Sequence, residues 1–224
     1  MKRRPYWLPS YAASCALLVL CGCKAVTREL PRPAPAVTQR HFAKGENSLR
    51  RVAVMPFVSN LSVTRSRDET EKSRGEAAEL VTRFFTDALM ATGVPVVAAA
   101  DLQIAFEAEG MIAPGSDAQR AARVASRHFG ATSVVIGELL RFRDRVGESM
   151  GSMRPASVAL QITLHEAPSG FKLWTARFDE TQQPLSDNVF NAGRYPGGGS
   201  RWLSSTEMAR WGVEEAARAL ANRP

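Results

Sequence analysis

Three thiols are the most reactive side chains in this chain of 224 residues, and they are crowded together. Cys15, Cys21 and Cys23 lie within nine positions near the start of the sequence, and no cysteine follows them. Closely spaced thiols can bind a metal ion, form a disulfide bond or carry a covalent modification. Because the later residues have no thiol, we expect neither a disulfide bond nor a cysteine-based metal site in the folded part of the protein.

The segment around the thiols has the pattern of an export signal. Three basic residues at positions 2–4 precede a run over residues 12–23 in which nearly every residue is apolar or small. This run is too short to span a bilayer, which needs about 20 apolar residues, but it suits the apolar part of a signal peptide. A buried helix is the alternative, and it fits poorly behind three positive charges. The sequence therefore predicts a lipoprotein-type signal peptide over residues 1–22.

The end of this run, Leu20-Cys21-Gly22-Cys23, resembles the lipobox of bacterial lipoproteins. In a lipobox an aliphatic residue, a tolerant position and a small residue precede the modified cysteine. The resemblance implies that the Cys23 sulfur receives a diacylglyceryl group, that the signal is cleaved before Cys23, and that the new amine is acylated. Cys21 fits less well because Leu20 before it is bulky, and Cys15 lies where the apolar run has barely begun.

The stretch over residues 23–49 has little apolar periodicity. Pro31, Pro33 and Pro35 favour an extended, semi-rigid spacer, so the sequence predicts a lipidated, Pro-rich flexible tether. The alternative is that its basic side chains contact anionic headgroups or cell-wall polymer. Lys24 follows Cys23, where an aspartate would indicate retention in the inner membrane, and this points to the periplasmic face of the outer membrane.

The positive charge of the chain lies mostly outside the expected folded part. The formal net charge is +7, and losing the three basic residues of the signal lowers it to +4. Much of the remainder lies in residues 24–50, so the folded part is near neutral. The sequence pI of about 9.8 would otherwise indicate nucleic-acid binding. Export and the location of the charge favour other partners: a membrane, and an envelope protein that could be a second copy of the chain.

Hydrophobic periodicity predicts one α/β domain over residues 50–224. Buried or alternating strands are expected near 50–57, 94–99, 132–143, 157–167 and 171–178, and helices near 75–92, 101–109, 117–129 and 205–221. Asp101 and Asp117 are the expected N-caps of the second and third helices. This order predicts a single sandwich: a mixed sheet with a C-terminal antiparallel meander, and helices packed on it. The expected core includes Val54, Phe85, Val135, Leu160, Ile162 and Trp174.

Several of these stretches resemble a group of periplasm-facing bacterial lipoproteins. They are RVAVMPF at 51–57, GVPVV at 93–97, FGATSVVIGELLRF at 129–142 and LQITLHEAPSGFKLWTARF at 160–178. The group takes in the N-terminal domain of TolB, CsgG and LpoB, and its fold is related to anticodon-binding domains. The resemblance implies that fold, together with a binding or assembly role of the activator or secretion-accessory type. The matching residues form the fold, so they say more about architecture than about activity.

One motif could indicate an enzyme. The sequence Gly147-Glu148-Ser149-Met150-Gly151 matches the G-x-S-x-G nucleophile elbow. That motif requires a strand before it, a helix after it, and an acid and then a histidine later in the chain. Here a predicted strand follows, and the only later histidine precedes the plausible acids, so we expect a hairpin loop. The three histidines, His41, His128 and His165, have no metal-binding spacing, and we expect no metal, no cofactor and no catalysis.

The segment over residues 181–204 is longer than the ~12–15 residues usual for a connection within a compact domain. Two interpretations stay open: its aromatic side chains fold back onto the core, or they form a partner-binding surface. The candidate residues for such a surface are Phe190, Arg194, Tyr195, Arg201 and Trp202. The function that the sequence favours is a non-catalytic, membrane-anchored lipoprotein of the bacterial cell envelope. The alternatives are a homo-oligomeric assembly component and an envelope hydrolase.

Overall fold

The structure of the chain is a computed structural model, and it describes residues 35–43, 45, 48–60, 71–111, 117–184 and 193–223. Its strands are β1 (Val37–His41), β2 (Val52–Val54), β3 (Val58–Ser59), β4 (Val96–Val97), β5 (Ser133–Arg143), β6 (Val146–Gly147), β7 (Ser152–Arg154), β8 (Ser157–Glu166) and β9 (Lys172–Thr181). Its helices are α1 (Glu71–Ala91), α2 (Ala99–Ala108), α3 (Ala118–Phe129) and α4 (Ser205–Ala221), with a 3₁₀ helix at Pro196–Gly199.

Seven strands form one mixed sheet. Its order is β1-β9-β8-β5-β2-β4, and β3 also pairs with β5. The pairs β1–β9, β9–β8 and β8–β5 are antiparallel. Strands β2 and β3 run parallel to β5, and β4 runs parallel to β2. Strands β6 and β7 form a separate antiparallel hairpin. The predicted mixed sheet with a C-terminal antiparallel meander is therefore confirmed.

The core lies on both faces of this sheet because consecutive residues of a strand point to opposite sides. Val135 belongs to the cluster under α1 and α4, whereas its neighbours Val134 and Ile136 belong to the cluster under α2 and α3. Alanines on α3, such as Ala121 and Ala125, are fully buried and let that helix pack closely. The core prediction is confirmed, since every residue it names is fully buried: Val54, Phe85, Val135, Leu160, Ile162 and Trp174.

Local signals fix most helix ends. The Asp117 carboxylate accepts a hydrogen bond from the Arg120 backbone N–H at 3.0 Å, so Asp117 caps α3 as predicted. Gly130 ends that helix with φ 60°, a left-handed conformation that favours glycine. The prediction that Asp101 caps α2 is wrong, because the N-cap is Ala98 and Asp101 lies in the first turn. A carboxylate in the first turn still interacts favourably with the helix dipole.

Strand β1 lies within the stretch for which the sequence predicts a flexible tether, and that prediction is wrong for residues 37–41. Val37 is buried and pairs with Phe178 on β9, and the Trp174 indole N–H donates to Gln39 Oε1 at 3.1 Å. The sheet thus begins before residue 50. None of the helices in the described part of the chain is long and apolar enough to cross a bilayer.

Candidate binding surface

One end of the sheet carries a hairpin with exposed methionines. Strands β6 and β7 follow the end of β5, and Gly147, with φ 109°, helps the chain reverse between them. The Glu148 backbone N–H donates to Gly151 O at 2.9 Å and closes the turn. Met150 is 80% exposed and Met153 is 89% exposed, although methionine side chains are commonly buried in proteins. The hairpin therefore presents flexible apolar side chains to the outside.

A second segment, residues 201–203, lies against this hairpin and is fixed by a buried glutamine. Gln182 follows the end of β9, and its side-chain N–H donates to Arg201 O at 2.7 Å. Its side-chain oxygen accepts from the Leu203 backbone N–H, also at 2.7 Å. Both groups of the amide are therefore used, which holds the segment in one conformation. Leu203 is buried as a result, and Trp202 between the two contacts is only partly buried.

The same segment is joined directly to the hairpin. The Trp202 backbone N–H donates to Ser149 O at 2.7 Å, and the Arg145 guanidinium donates to Trp202 O at 3.3 Å. A cavity of about 220 Å³ lies between the two segments, with Met150, Gln182 and Trp202 among its lining residues. We call Val146, Met150, Met153, Arg201 and Trp202 the hairpin surface.

Arg201 is positioned on this surface by the start of α4. Its guanidinium makes two hydrogen bonds to the Glu207 carboxylate, at 2.7 and 3.0 Å. The Glu207 carboxylate also accepts from the Ser204 backbone N–H, and Ser204 caps the helix in return. The hydrogen bonds from Arg201, and then that from Ser204, lower the pKa of Glu207 to about 2. The pair is therefore charged and bonded at neutral pH.

The predicted partner-binding residues do not all lie on a surface. Tyr195 is buried, with its ring 5.5 Å from that of Trp211, and Arg194 forms an ion pair with Glu180. Of the two interpretations of residues 181–204, folding back onto the core holds for Tyr195, and its candidate role in a partner-binding surface is wrong. The Arg194 side chain is largely covered by its ion pair. Arg201 and Trp202 lie on the hairpin surface, and Phe190 lies outside the described residues.

Sequence reasoning missed Met150, Met153 and Gln182. Two methionines in a short Gly- and Ser-rich turn were a usable signal, because turns rarely place large apolar side chains where they can be buried. Gln182 gave no signal of its own, since its role depends on contacts with residues 19 and 21 positions away.

The G-x-S-x-G motif does not have the geometry of a nucleophile elbow. It forms the turn between β6 and β7, so the strands β7 and β8 rather than a helix follow it. His165 lies toward the other end of β8 from Ser157, roughly 26 Å away along the strand. His165 Nδ1 lies 2.9 Å from Gly170 O, and burial lowers its pKa. This half-buried ring therefore contacts its own turn and is not placed to act on Ser149.

The titratable groups in the described part of the chain do not form a metal site. His128 lies in the last turn of α3, where its Nε2 is 2.6 Å from Glu109 Oε1, and this contact lowers the pKa of Glu109. His41 lies on the exposed part of β1. Within the described residues, no group of three His, Cys, Asp or Glu side chains could hold a metal ion.

Comparisons with known proteins find similarity only among solved structures. No protein family matches the chain, and no curated protein matches it. A PelC dodecamer from Paraburkholderia phytofirmans is 15% identical, with 80% of this chain and 96% of that chain covered and a TM-score of 0.43. Lipoprotein GNA1162 from Neisseria meningitidis is 16% identical, with 63% and 94% covered and a TM-score of 0.38.

The C-terminal domain of LpoB from Escherichia coli is also similar. It is 16% identical, with 62% of this chain and 88% of that chain covered and a TM-score of 0.37. At TM-scores below 0.5 and identities below 25%, these similarities carry no argument about the function of this chain.

Proposed function

We propose that this chain is a non-catalytic lipoprotein of the bacterial cell envelope that binds a protein partner through the hairpin surface. Its anchor is an acylated Cys23, which holds it on the periplasmic face of the outer membrane. The observation that carries the binding role is a hairpin with two exposed methionines, one of which, Met150, shares a cavity with Trp202 on a fixed segment.

The side chains of the hairpin surface suit protein recognition. Methionine is unbranched and polarisable, so it adapts to irregular apolar partners. Tryptophan and arginine are the residue types most often found at the energetic centre of protein interfaces. Gln182 holds the backbone on either side of Trp202, and Glu207 holds the Arg201 guanidinium, before any partner arrives; this lowers the entropy lost on binding.

The anchor follows from the residues around Cys23, which lies outside the described part of the chain. Each buried CH₂ of an acyl chain contributes about 0.8 kcal/mol, so several chains on one residue hold a protein on a bilayer far better than one. An anchored protein needs no membrane-spanning helix for this. The anchor also restricts the search for a partner to the envelope surface.

Capture of a partner from detergent-solubilised envelopes tests the proposal. The double variant M150S/M153S and the variant W202A should each reduce capture by roughly 10-fold or more, since hot-spot truncations cost about 2 kcal/mol. Ile104 is 65% exposed on α2, so I104S is a matched control that removes an exposed apolar side chain elsewhere. Equal capture by all variants would contradict the proposal.

The same experiment separates the alternatives. A captured protein that proves to be a second copy of this chain would show that the hairpin surface makes a homo-oligomer. The variant S149A should capture the partner and complement a deletion strain normally, because only the backbone oxygen of Ser149 makes the contact with Trp202. Failure of S149A to complement, with capture intact, would favour the hydrolase.

A further inference from the structure

The opposite end of the sheet exposes two aromatic side chains. Phe42 directly follows β1, and its backbone N–H donates to Leu173 O at 2.9 Å. Phe171 directly precedes β9, and its carbonyl accepts from the Glu166 N–H at 2.7 Å. Their backbones are thus fixed, yet Phe42 is 52% exposed and Phe171 is 73% exposed. Both rings therefore stand out from an ordered part of the fold.

Basic side chains lie at the same end of the sheet as these rings. Lys172 Nζ lies 5.5 Å from the centre of the Phe42 ring. Arg50 and Arg51 precede β2 and line a cavity of about 360 Å³ together with Thr132. The backbone links the two groups, because the N–H of Ala167, in the turn between β8 and β9, donates to Thr132 O at 3.0 Å.

The charges at this end leave cations available for a ligand. One Arg51 nitrogen donates to Phe129 O at the end of α3, which offsets the negative end of that helix. Arg50 and Lys172 are exposed and form no ion pair within the described part of the chain. The acidic Glu166 accepts a hydrogen bond from the Ser169 hydroxyl at 2.7 Å.

We propose that this aromatic–basic end, formed by Phe42, Arg50, Arg51, Phe171 and Lys172, rests on a bilayer that contains anionic phospholipid. Exposed aromatic rings favour the level of the headgroups, where they displace water without entering the acyl core. Basic side chains near the surface of an anionic leaflet add attraction. The inference rests on the proposed lipid anchor, which supplies the bilayer.

The chain between the anchor and the sheet is long enough for this orientation. Thirteen residues, 24–36, separate Cys23 from Val37, and a fully extended chain of that length spans roughly 45 Å. Strand β1 covers about 17 Å from its start to Phe42. The chain can therefore run back past β1 to the membrane, and a short link gives weak lipid contacts a high effective concentration.

The orientation would place the hairpin surface away from the bilayer. Strand β8 alone separates the two ends by roughly 30 Å. A partner standing off the membrane could then reach Met150 and Trp202 while the aromatic–basic end stays on lipid.

Depth-dependent fluorescence quenching of the full lipidated chain in vesicles tests this inference. Single cysteines are introduced at the exposed positions Ser169, beside Phe171, and Gly151, in the hairpin, and are labelled with an environment-sensitive dye. An acylated Cys23 has no free thiol, so the introduced cysteine is the labelled one. Vesicles of phosphatidylcholine, with or without phosphatidylglycerol, carry a quencher on the lipid headgroup.

We expect strong quenching in the S169C chain and little in the G151C chain, with more at Ser169 when phosphatidylglycerol is present. Adding F42S/F171S to the S169C chain should abolish the quenching. Adding R50Q/K172Q should weaken docking by about fivefold for each basic side chain removed.

Four results would overturn the inference. Equal quenching in the S169C and G151C chains, or none at Ser169 while the chain stays on the vesicles, would mean that this end does not face lipid. Unchanged quenching after F42S/F171S would mean that the aromatic rings are not the contact. Release from the vesicles with a dye-reactive Cys23 would show that the anchor itself is wrong, and the inference would fall with it.

Discussion

The two ends of the sheet both expose apolar side chains, but they hold them differently. At the hairpin surface, Trp202 lies on a segment fixed by Gln182, with Met150 across a small cavity. At the aromatic–basic end, Phe42 and Phe171 stand beside cations, and Lys172 lies over one of the rings. The comparison teaches that exposed apolar side chains do not by themselves define a ligand; the neighbouring groups do.

The largest expected effect is the loss of the proposed lipid anchor, on which the roles of both ends depend. The variant C23S removes the sulfur that we propose carries the diacylglyceryl group, so the protein should no longer be processed and acylated at residue 23. Mass spectrometry of the wild-type protein should show residues 1–22 absent and acyl mass on Cys23. A C23S protein that is still cleaved and still fractionates with membranes would contradict the anchor.

A comparison of two tryptophans distinguishes the core from the hairpin surface. Trp174 is fully buried between the two ends, so W174A should lower the free energy of unfolding by about 3–5 kcal/mol. Trp202 lies at the surface, so W202A should lower it by less than about 1 kcal/mol while it weakens partner capture. Urea unfolding of both variants measures the difference, and equal losses would mean that Trp202 is part of the core.

The variant Q182A tests whether the fixed conformation of residues 201–203 is needed for partner capture. The variant Q182A leaves the buried Leu203 N–H without its acceptor, which costs about 1–3 kcal/mol. Amide hydrogen exchange at Leu203 should accelerate, and partner capture should weaken with the hairpin itself unchanged. Gln103 on α2 is only partly buried and its side-chain N–H bonds to Glu107 on the same helix, so Q103A is the matched loss of an amide. Capture by Q182A at the wild-type level would mean that the surface needs no preorganisation.

The smallest expected effect is the pH dependence due to Glu207. Its pKa is lowered from 4.5 to about 2 in the folded protein, so its interaction stabilises the fold above the unfolded pKa and is lost as pH falls from about 4.5 to about 2. Because its side chain is 40% exposed, solvent screening limits the loss to about 1 kcal/mol. The free energy of unfolding, measured against pH, should change more steeply in the wild type than in E207Q, and only in that pH window. If E207Q kept the pH dependence of the wild type, a group other than Glu207 would be responsible for it.

Much of the fold could be predicted from the sequence, because apolar periodicity sets it. Leu160 and Ile162 alternate with polar neighbours, and the alanines of α3 repeat at helical spacing, so their burial could be read directly. Strand β1 could not be predicted, since Val37 is its only buried residue and the strand forms because β9 offers a free edge.

The candidate site was predicted only in part. Residue type makes Arg201, Trp202 and Tyr195 equal candidates for a partner-binding surface. The sequence leaves open which aromatic rings fold back onto the core, because a ring in a stretch without periodicity carries no sign of the face it occupies. Trp211, against which Tyr195 packs, lies on a helix predicted separately. Contacts between distant segments therefore decide which of two similar aromatics is available to a partner.

Site-specific photo-crosslinking in intact cells tests most directly the claim that the two ends meet different ligands. A photoreactive phenylalanine analogue is placed at Met150 in one chain and at Phe171 in another, both exposed positions that tolerate an aromatic side chain. We expect a discrete protein adduct from position 150, and adducts of lipid but not of protein from position 171. A protein adduct at position 171 with none at position 150 would contradict this assignment of the two ends.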